Sequence, residues 1–212
     1  MANHIDTIRN AVIGGSHGEI RNIVQEALDA GVDPNEIIND GLIAAMDVVG
    51  KDFGSGKIFV PEMLVAAVTM KYGLDVVKPL LKGEENRSRG TIVMATVQGD
   101  LHDIGKNLVT MMLEGAGFKV IDLGVDLSVE KLLDMVKEIK PDVLGLSALL
   151  TTTMPEMKRV IEELEKQGLR KHLKVMVGGA PVDPSFAERI GADGYGANAA
   201  EAVEIARRLS PK

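Results

Sequence analysis

Gly99-Asp100-Leu101-His102-Asp103-Ile104-Gly105-Lys106-Asn107 lies between a strand-like apolar run, Thr91–Thr96, and a helix-like run over 108–113. His102 is thereby placed on the loop leaving a strand, with Asp100 two residues before it and Gly105 three after. A loop histidine beside a carboxylate is how proteins present an imidazole to a metal. One ring nitrogen binds the ion while the other gives its proton to the carboxylate, which fixes tautomer and orientation.

Outward from this loop, the C-terminal half alternates between two periodicities. Strand-like runs cover Thr91–Thr96, 119–123, 143–146, 175–177 and a short 192–195. Helical segments of about 10 to 15 residues begin near Ile104, Val129, Met154, Ser185 and Ala199. Five βα units on one parallel sheet predict a doubly wound, flavodoxin-like domain, and such sheets bind ligands at the carboxyl ends of their strands. Three distinctive loops fall at those ends: 99–105 after the first strand, 147–153 after the third, and Gly178-Gly179-Ala180-Pro181 after the fourth. Their convergence is worth more than any one of them.

The N-terminal half, residues 1–82, reads as all helical. Ile5, Ile8, Val12 and Ile13 keep helical spacing, and Ser16 to Glu19 fits a capping box ahead of Ile20, Ile23, Val24, Ala27 and Leu28. Gly31 is placed to stop that helix and Asp33-Pro34 to start the next. A glycine-broken link, Gly54-Ser55-Gly56-Lys57, leads to Phe59-Val60-Pro61 and a last helix through Met63, Leu64, Ala67, Met70, Leu74 and Val77. Four helices with short connections predict an antiparallel bundle. The apolar-free stretch 83–90 is the expected linker, leaving 91–212 as the second domain.

Composition excludes several functions. The chain has 212 residues, 45% hydrophobic and 26% charged, as in ordinary globular proteins. A net charge of −7 argues against a nucleic-acid partner. With no cysteine there is no disulfide, iron–sulfur ligation or thiol nucleophile. No apolar run approaches the ~20 residues that span a bilayer, so no membrane partner is expected. The N-terminus lacks the basic and apolar regions of a signal peptide, and the cytoplasm is the expected compartment.

The three loops together resemble the cobalamin-binding domain of corrinoid-dependent methyltransferases, whose pattern is D-x-H-x-x-G, then S-x-L, then G-G. This chain supplies Asp100/His102/Gly105, Ser147/Leu149 and Gly178/Gly179 in that order. Lys57-Ile58-Phe59-Val60-Pro61-Glu62-Met63-Leu64 is similar to the start of the last helix of the family's helical cap, so the resemblance covers nearly the whole chain. It is strongest to the small stand-alone corrinoid proteins of methylamine and methanol systems, and extends to the cobalamin-binding module of methionine synthase.

The resemblance implies a cobalamin or related corrinoid (as methylcobalamin or hydroxocobalamin) bound with its own base displaced from cobalt. His102 would take the lower axial position and Asp100 would accept its other N–H. Gly99, Leu101, Asp103 and Ile104 would contribute loop contacts, and Gly105 would admit the nucleotide tail close to the backbone. The tail would pass Ser147, Leu149, Thr151 and the Gly178-Gly179 turn, with Ala197-Asn198-Ala199 near the nucleotide base. A hydroxyl after S-x-L would complete a His–Asp–hydroxyl relay; Thr153 is the assigned position, with Thr151 and Thr152 as alternatives. Phe59 and the Met63/Leu64/Ala67 face would meet the upper face. The implied function is to carry a methyl group on cobalt from a substrate-specific methyltransferase to a second, acceptor-specific one, with a reductive activator as a third partner.

Rival readings remain open at this point. His102-Asp103 reads literally as the HD motif of metal-dependent phosphohydrolases, although a strand-like run precedes it here. A cobalamin-binding regulatory module or a mutase small subunit would share D-x-H-x-x-G. The bland alternative for Asp100 is a helix N-cap, and for Ser147 and the threonines, ordinary turn residues.

Overall fold

Asp33 and Pro34 show how the N-terminal helices are set. The Asp33 carboxylate accepts the amides of Asn35 at 2.7 Å and Glu36 at 3.4 Å, and proline follows where no N–H is needed. The computed structural model describes residues 4–80 and 88–210. Its helices run α1 (His4–Ile13), α2 (Ile20–Asp29), α3 (Pro34–Glu36), a π-helical segment (Ile37–Ile43), α4 (Ala44–Gly54) and α5 (Val60–Val77). Helical dihedrals at Ile37 and Ala44 join α3, the π segment and α4 into one rod, so the expected four helices are present. Ile8, Val12, Ile20, Val24, Ile37, Leu42 and Met63 form their buried core.

Two local details differ from the sequence reading. The capping box at Ser16–Glu19 does not form, because Ser16 offers its backbone carbonyl to the amides of Glu19 and Ile20, and Glu19 itself stands at the N-cap without a side-chain bond. The π segment was not foreseen from periodicity. Arg9 braces it from α1, donating Nη2 at 2.7 Å and Nε at 3.2 Å to the Asp40 carbonyl.

The chain divides into two compact units, Met1–Arg87 with Gly115–Gly117, and Ser88–Glu114 with Phe118–Lys212. Of the expected linker 83–90, positions 83–87 lie outside the described residues. Among the described residues no helix is long and apolar enough to cross a membrane.

The second unit is built on β1 (Thr91–Thr96), whose residues are buried from Ile92 onward, as in a strand covered on both faces. After it come α6 (Ile104–Gly115), β2 (Lys119–Asp122), α7 (Val129–Ile139), β3 (Val143–Ser147), α8 (Met154–Lys166), β4 (Lys174–Gly178), α9 (Pro184–Arg189), β5 (Gly194–Gly196) and α10 (Ala199–Leu209). All five strands are parallel in the order β2-β1-β3-β4-β5, the expected flavodoxin-like sheet. The core is aliphatic: Leu132, Leu144, Leu146, Met157 and Ile161 are fully buried. Gly145 is packed by methionines from both neighbouring strands, Met94 and Met176, its register partners.

Connections reverse direction across the β1–β3 pair, which opens a crevice at the carboxyl ends of these strands. Register then sets the site. Thr96 pairs with Ser147, Ser147 with Gly178, and Gly178 with Gly196, so four strands end in one row.

Candidate functional site

Above that row stands one buried carboxylate with donors on every side. Asp100 has no exposed surface. Its Oδ1 accepts from the His102 ring Nδ1 at 2.7 Å and the His102 amide at 3.1 Å. Its Oδ2 accepts from the Leu149 amide at 2.7 Å, the Leu150 amide at 3.3 Å and Thr153 Oγ1 at 2.8 Å. Burial pushes the Asp100 carboxyl upward, but the bonds from Leu149, His102 and Thr153 outweigh it and hold it well below the usual carboxylate range. An ionised carboxylate only accepts, which assigns the imidazole proton to Nδ1 and leaves the Nε2 lone pair. The ring is 52% exposed, and among the described residues no hydrogen bond engages Nε2.

The loop is held in this shape by its own backbone. Gly99 has φ +80°, a left-handed conformation that suits glycine. Thr96, buried at the end of β1, donates Oγ1 to the His102 carbonyl at 3.0 Å. Asp100 is therefore not an N-cap for α6, since its side chain turns to His102 and to the loop after β3. Around the imidazole lie exposed apolar side chains: Leu101 at 71%, Ile104 at 86%, and Leu149 and Leu150 at 41% each.

Residues 90–204 match the family described as "B12 binding domain", and residues 4–78 match a second family of the same description. The chain belongs to this B12-binding family. It is 46% identical over 183 residues to trimethylamine corrinoid protein 2 of Methanosarcina mazei, spanning 85% of this chain and 84% of that protein. A cobalamin-binding protein from Desulfitobacterium hafniense superposes with TM-score 0.81 at 37% identity, covering 98% of both chains. A chain of the methanol:cobalamin methyltransferase complex from Methanosarcina barkeri gives TM-score 0.88 at 35% identity, covering 99% of this chain and 80% of that one. The cofactor of this B12-binding protein is a cobalamin or related corrinoid.

The residues fit such a group. A corrin supplies its own equatorial ligands, so one imidazole suffices, and among the described residues no cluster of three or more His, Cys, Asp or Glu is arranged to hold a bare ion. Exposed leucine and isoleucine side chains beside that imidazole suit a broad, largely apolar macrocycle, and such patches ordinarily mark binding surfaces. Strand β1 ahead of the motif sets it apart from the all-helical setting of the HD reading.

Most residues singled out in the sequence meet at this end of the sheet. His102, Asp100, Thr153 and Leu149 are joined by hydrogen bonds. Among the three threonines only Thr153 is buried and bonded to Asp100, while Thr151 and Thr152 are exposed. Ser147, Gly178 and Gly179 lie at the neighbouring strand ends, where a Cβ on Gly179 would overlap the Ala148 carbonyl oxygen. Gly105 is exposed in the first turn of α6, and Asp103 bonds Asn107 Nδ2 at 3.1 Å. Ala199 begins α10 just past β5 but is only 4% exposed, and Asn198 is engaged as N-cap to the Glu201 amide at 2.9 Å. Phe59 belongs to the helical unit, where it is 67% exposed at the start of α5, whereas Met63 beside it is core.

Sequence reading missed Leu150, Thr96 and the loop after β2. Leu150 acts through its amide, which no side-chain pattern reveals. Thr96 did carry a signal, as a polar residue closing an apolar strand.

Proposed function

We propose that this protein carries a methyl group on a corrinoid held base-off, with His102 beneath cobalt. The supporting observation is the 2.7 Å bond from His102 Nδ1 to the buried Asp100 carboxylate, which turns the ring and leaves Nε2 for a ligand bond. When bound, the corrinoid supplies a cobalt centre that accepts and gives up a methyl group.

The chain's own residues have three tasks. Asp100 keeps the imidazole in the Nδ1–H tautomer and raises its basicity as a donor. Thr153 and the amides of Leu149 and Leu150 hold Asp100 ionised, and the Thr153–Asp100–His102 chain would hold or pass a proton at His102 Nδ1. The exposed side chains of Leu101, Ile104, Leu149 and Leu150 would exclude water around His102 once the corrinoid is bound. The likeness to a chain of a methanol:cobalamin methyltransferase complex supports a methyltransferase as partner; one loading and one unloading partner, a reductive activator and a cytoplasmic location belong to the same proposal.

Reconstitution with hydroxocobalamin tests the reading. Wild type is expected to give a base-off spectrum with imidazole ligation, and His102→Ala to bind the corrinoid without that ligation. An identical spectrum from His102→Ala removes His102 as the ligand.

A further inference from the structure

The loop after β2 grips the histidine loop from the side opposite Thr153. Asp126 is one of two non-glycine residues with positive φ among the described residues, at 55°. Its Oδ1 accepts the Gly99 N–H at 2.7 Å, while its own N–H donates to the Asp100 carbonyl at 3.0 Å. One residue thus closes both ends of the Gly99–Asp100 dipeptide. Two residues earlier, the Gly124 carbonyl accepts the Thr96 N–H at 3.0 Å, tying the same loop to the strand end that carries the His102 carbonyl bond.

The two grips divide the work. Leu149, Leu150 and Thr153 hold the Asp100 carboxylate, whereas the backbone from which that carboxylate is aimed depends on Asp126. Aspartate tolerates the left-handed conformation better than most side chains. Its carboxylate supplies the acceptor that a glycine at this position would lack. We propose that Asp126 is a positioning residue for the axial imidazole, acting through the Gly99–Asp100 backbone. Resting on the reading of His102 as cobalt ligand, this adds a residue that acts through the backbone of Gly99 and Asp100. Ligating groups need to be held to within about 0.5 Å, which makes such an outer brace consequential.

The test compares Asp126→Asn, which keeps an acceptor and tolerates the backbone, with Asp126→Gly, which relaxes the backbone and loses the acceptor. One readout uses the protein without corrinoid: hydrogen exchange at the His102 and Leu149 amides, both bonded to Asp100. The other is the imidazole-ligated to unligated ratio in hydroxocobalamin-loaded protein. Asp126→Gly is expected to speed exchange and to lower the ratio by about tenfold each, the scale of one charge-assisted hydrogen bond, while Asp126→Asn, with a neutral acceptor, loses about threefold. Wild-type behaviour from the glycine variant overturns the inference, and so does an asparagine variant as impaired as the glycine one. A wild type lacking imidazole ligation instead overturns the ligand reading on which it rests.

Discussion

Thr153 Oγ1 donates to Asp100 Oδ2 at 2.8 Å across 53 positions of sequence, joining the loop after β3 to the loop after β1. The hydroxyl proton also has the Leu150 carbonyl within reach at 2.9 Å, but an ionised carboxylate is the stronger acceptor. Thr153→Val keeps the shape and removes the donor. It is expected to cost about 1.5–3 kcal/mol in chemical denaturation and to raise the Asp100 carboxyl, read by carbon NMR. Thr153→Ser restores both. A valine variant as stable as wild type, with an unshifted carboxyl, shows that the bond is unimportant.

Acid stability follows from the same carboxylate. Asp100 is held well below its ordinary value in the folded protein, whereas an unfolded aspartate titrates near about 3.9. The unfolded chain therefore takes up the proton first as pH falls. The stabilisation is complete above about pH 4–5 and is lost progressively below it, toward the folded value. Asp100→Asn is expected to be less stable at neutral pH and to lose the Asp100 contribution to the acid decline. Denaturant midpoints between pH 7 and 2 measure this; parallel curves for the two proteins contradict it.

The fold was legible because its signals are periodic: Thr91–Thr96 is apolar throughout, and the strand–helix alternation after it admits few topologies. The site was legible where one short stretch carries it, as with Asp100 and His102. The resemblance assigns Thr153 ahead of Thr151 and Thr152, but the turn after β3 that buries Thr153 and exposes the other two is a tertiary feature that three adjacent threonines do not reveal. Asp126 was not legible, because its role depends on a left-handed backbone and on a neighbour 27 positions away. The failed capping box at Ser16 makes the same point, since the motif was present and a preceding turn took its partner.

Lys106 is a buried cation in the first turn of α6, with 1% of its side chain exposed, paired with Asp122 and 3.1 Å from Asn107 Oδ1. Removing it leaves Asp122 with the Gly124 N–H at 2.9 Å on its other oxygen and, at 29% exposure, some water. Lys106→Ala is expected to cost about 2–3 kcal/mol, below the 3–5 of a fully buried broken pair. The double variant Lys106→Met/Asp122→Leu recovers much of that loss, since apolar replacement of both partners is often neutral. Denaturation of wild type, Lys106→Met, Asp122→Leu and the double variant closes that cycle, and a neutral Lys106→Ala means the pair contributes nothing.

Gly105 and Gly179 separate space needed by the fold from space left for a ligand. A Cβ on Gly179 would overlap the Ala148 carbonyl oxygen, and its φ of +131° disfavours any other residue. Gly179→Ala is therefore expected to destabilise the protein itself by about 3 kcal/mol or more. Gly105 is different: a Cβ there meets nothing within 4 Å, and the residue lies in a helix. Alanine in that place is expected to stabilise the corrinoid-free protein by up to about 1 kcal/mol. If the nucleotide tail passes against this backbone, the same methyl group weakens hydroxocobalamin binding by about tenfold, since a close approach is blocked. Thermal melts of the corrinoid-free proteins and binding titrations measure the two effects separately. A Gly105→Ala variant that melts higher and binds as tightly as wild type removes Gly105 from the tail's path while leaving His102 untouched.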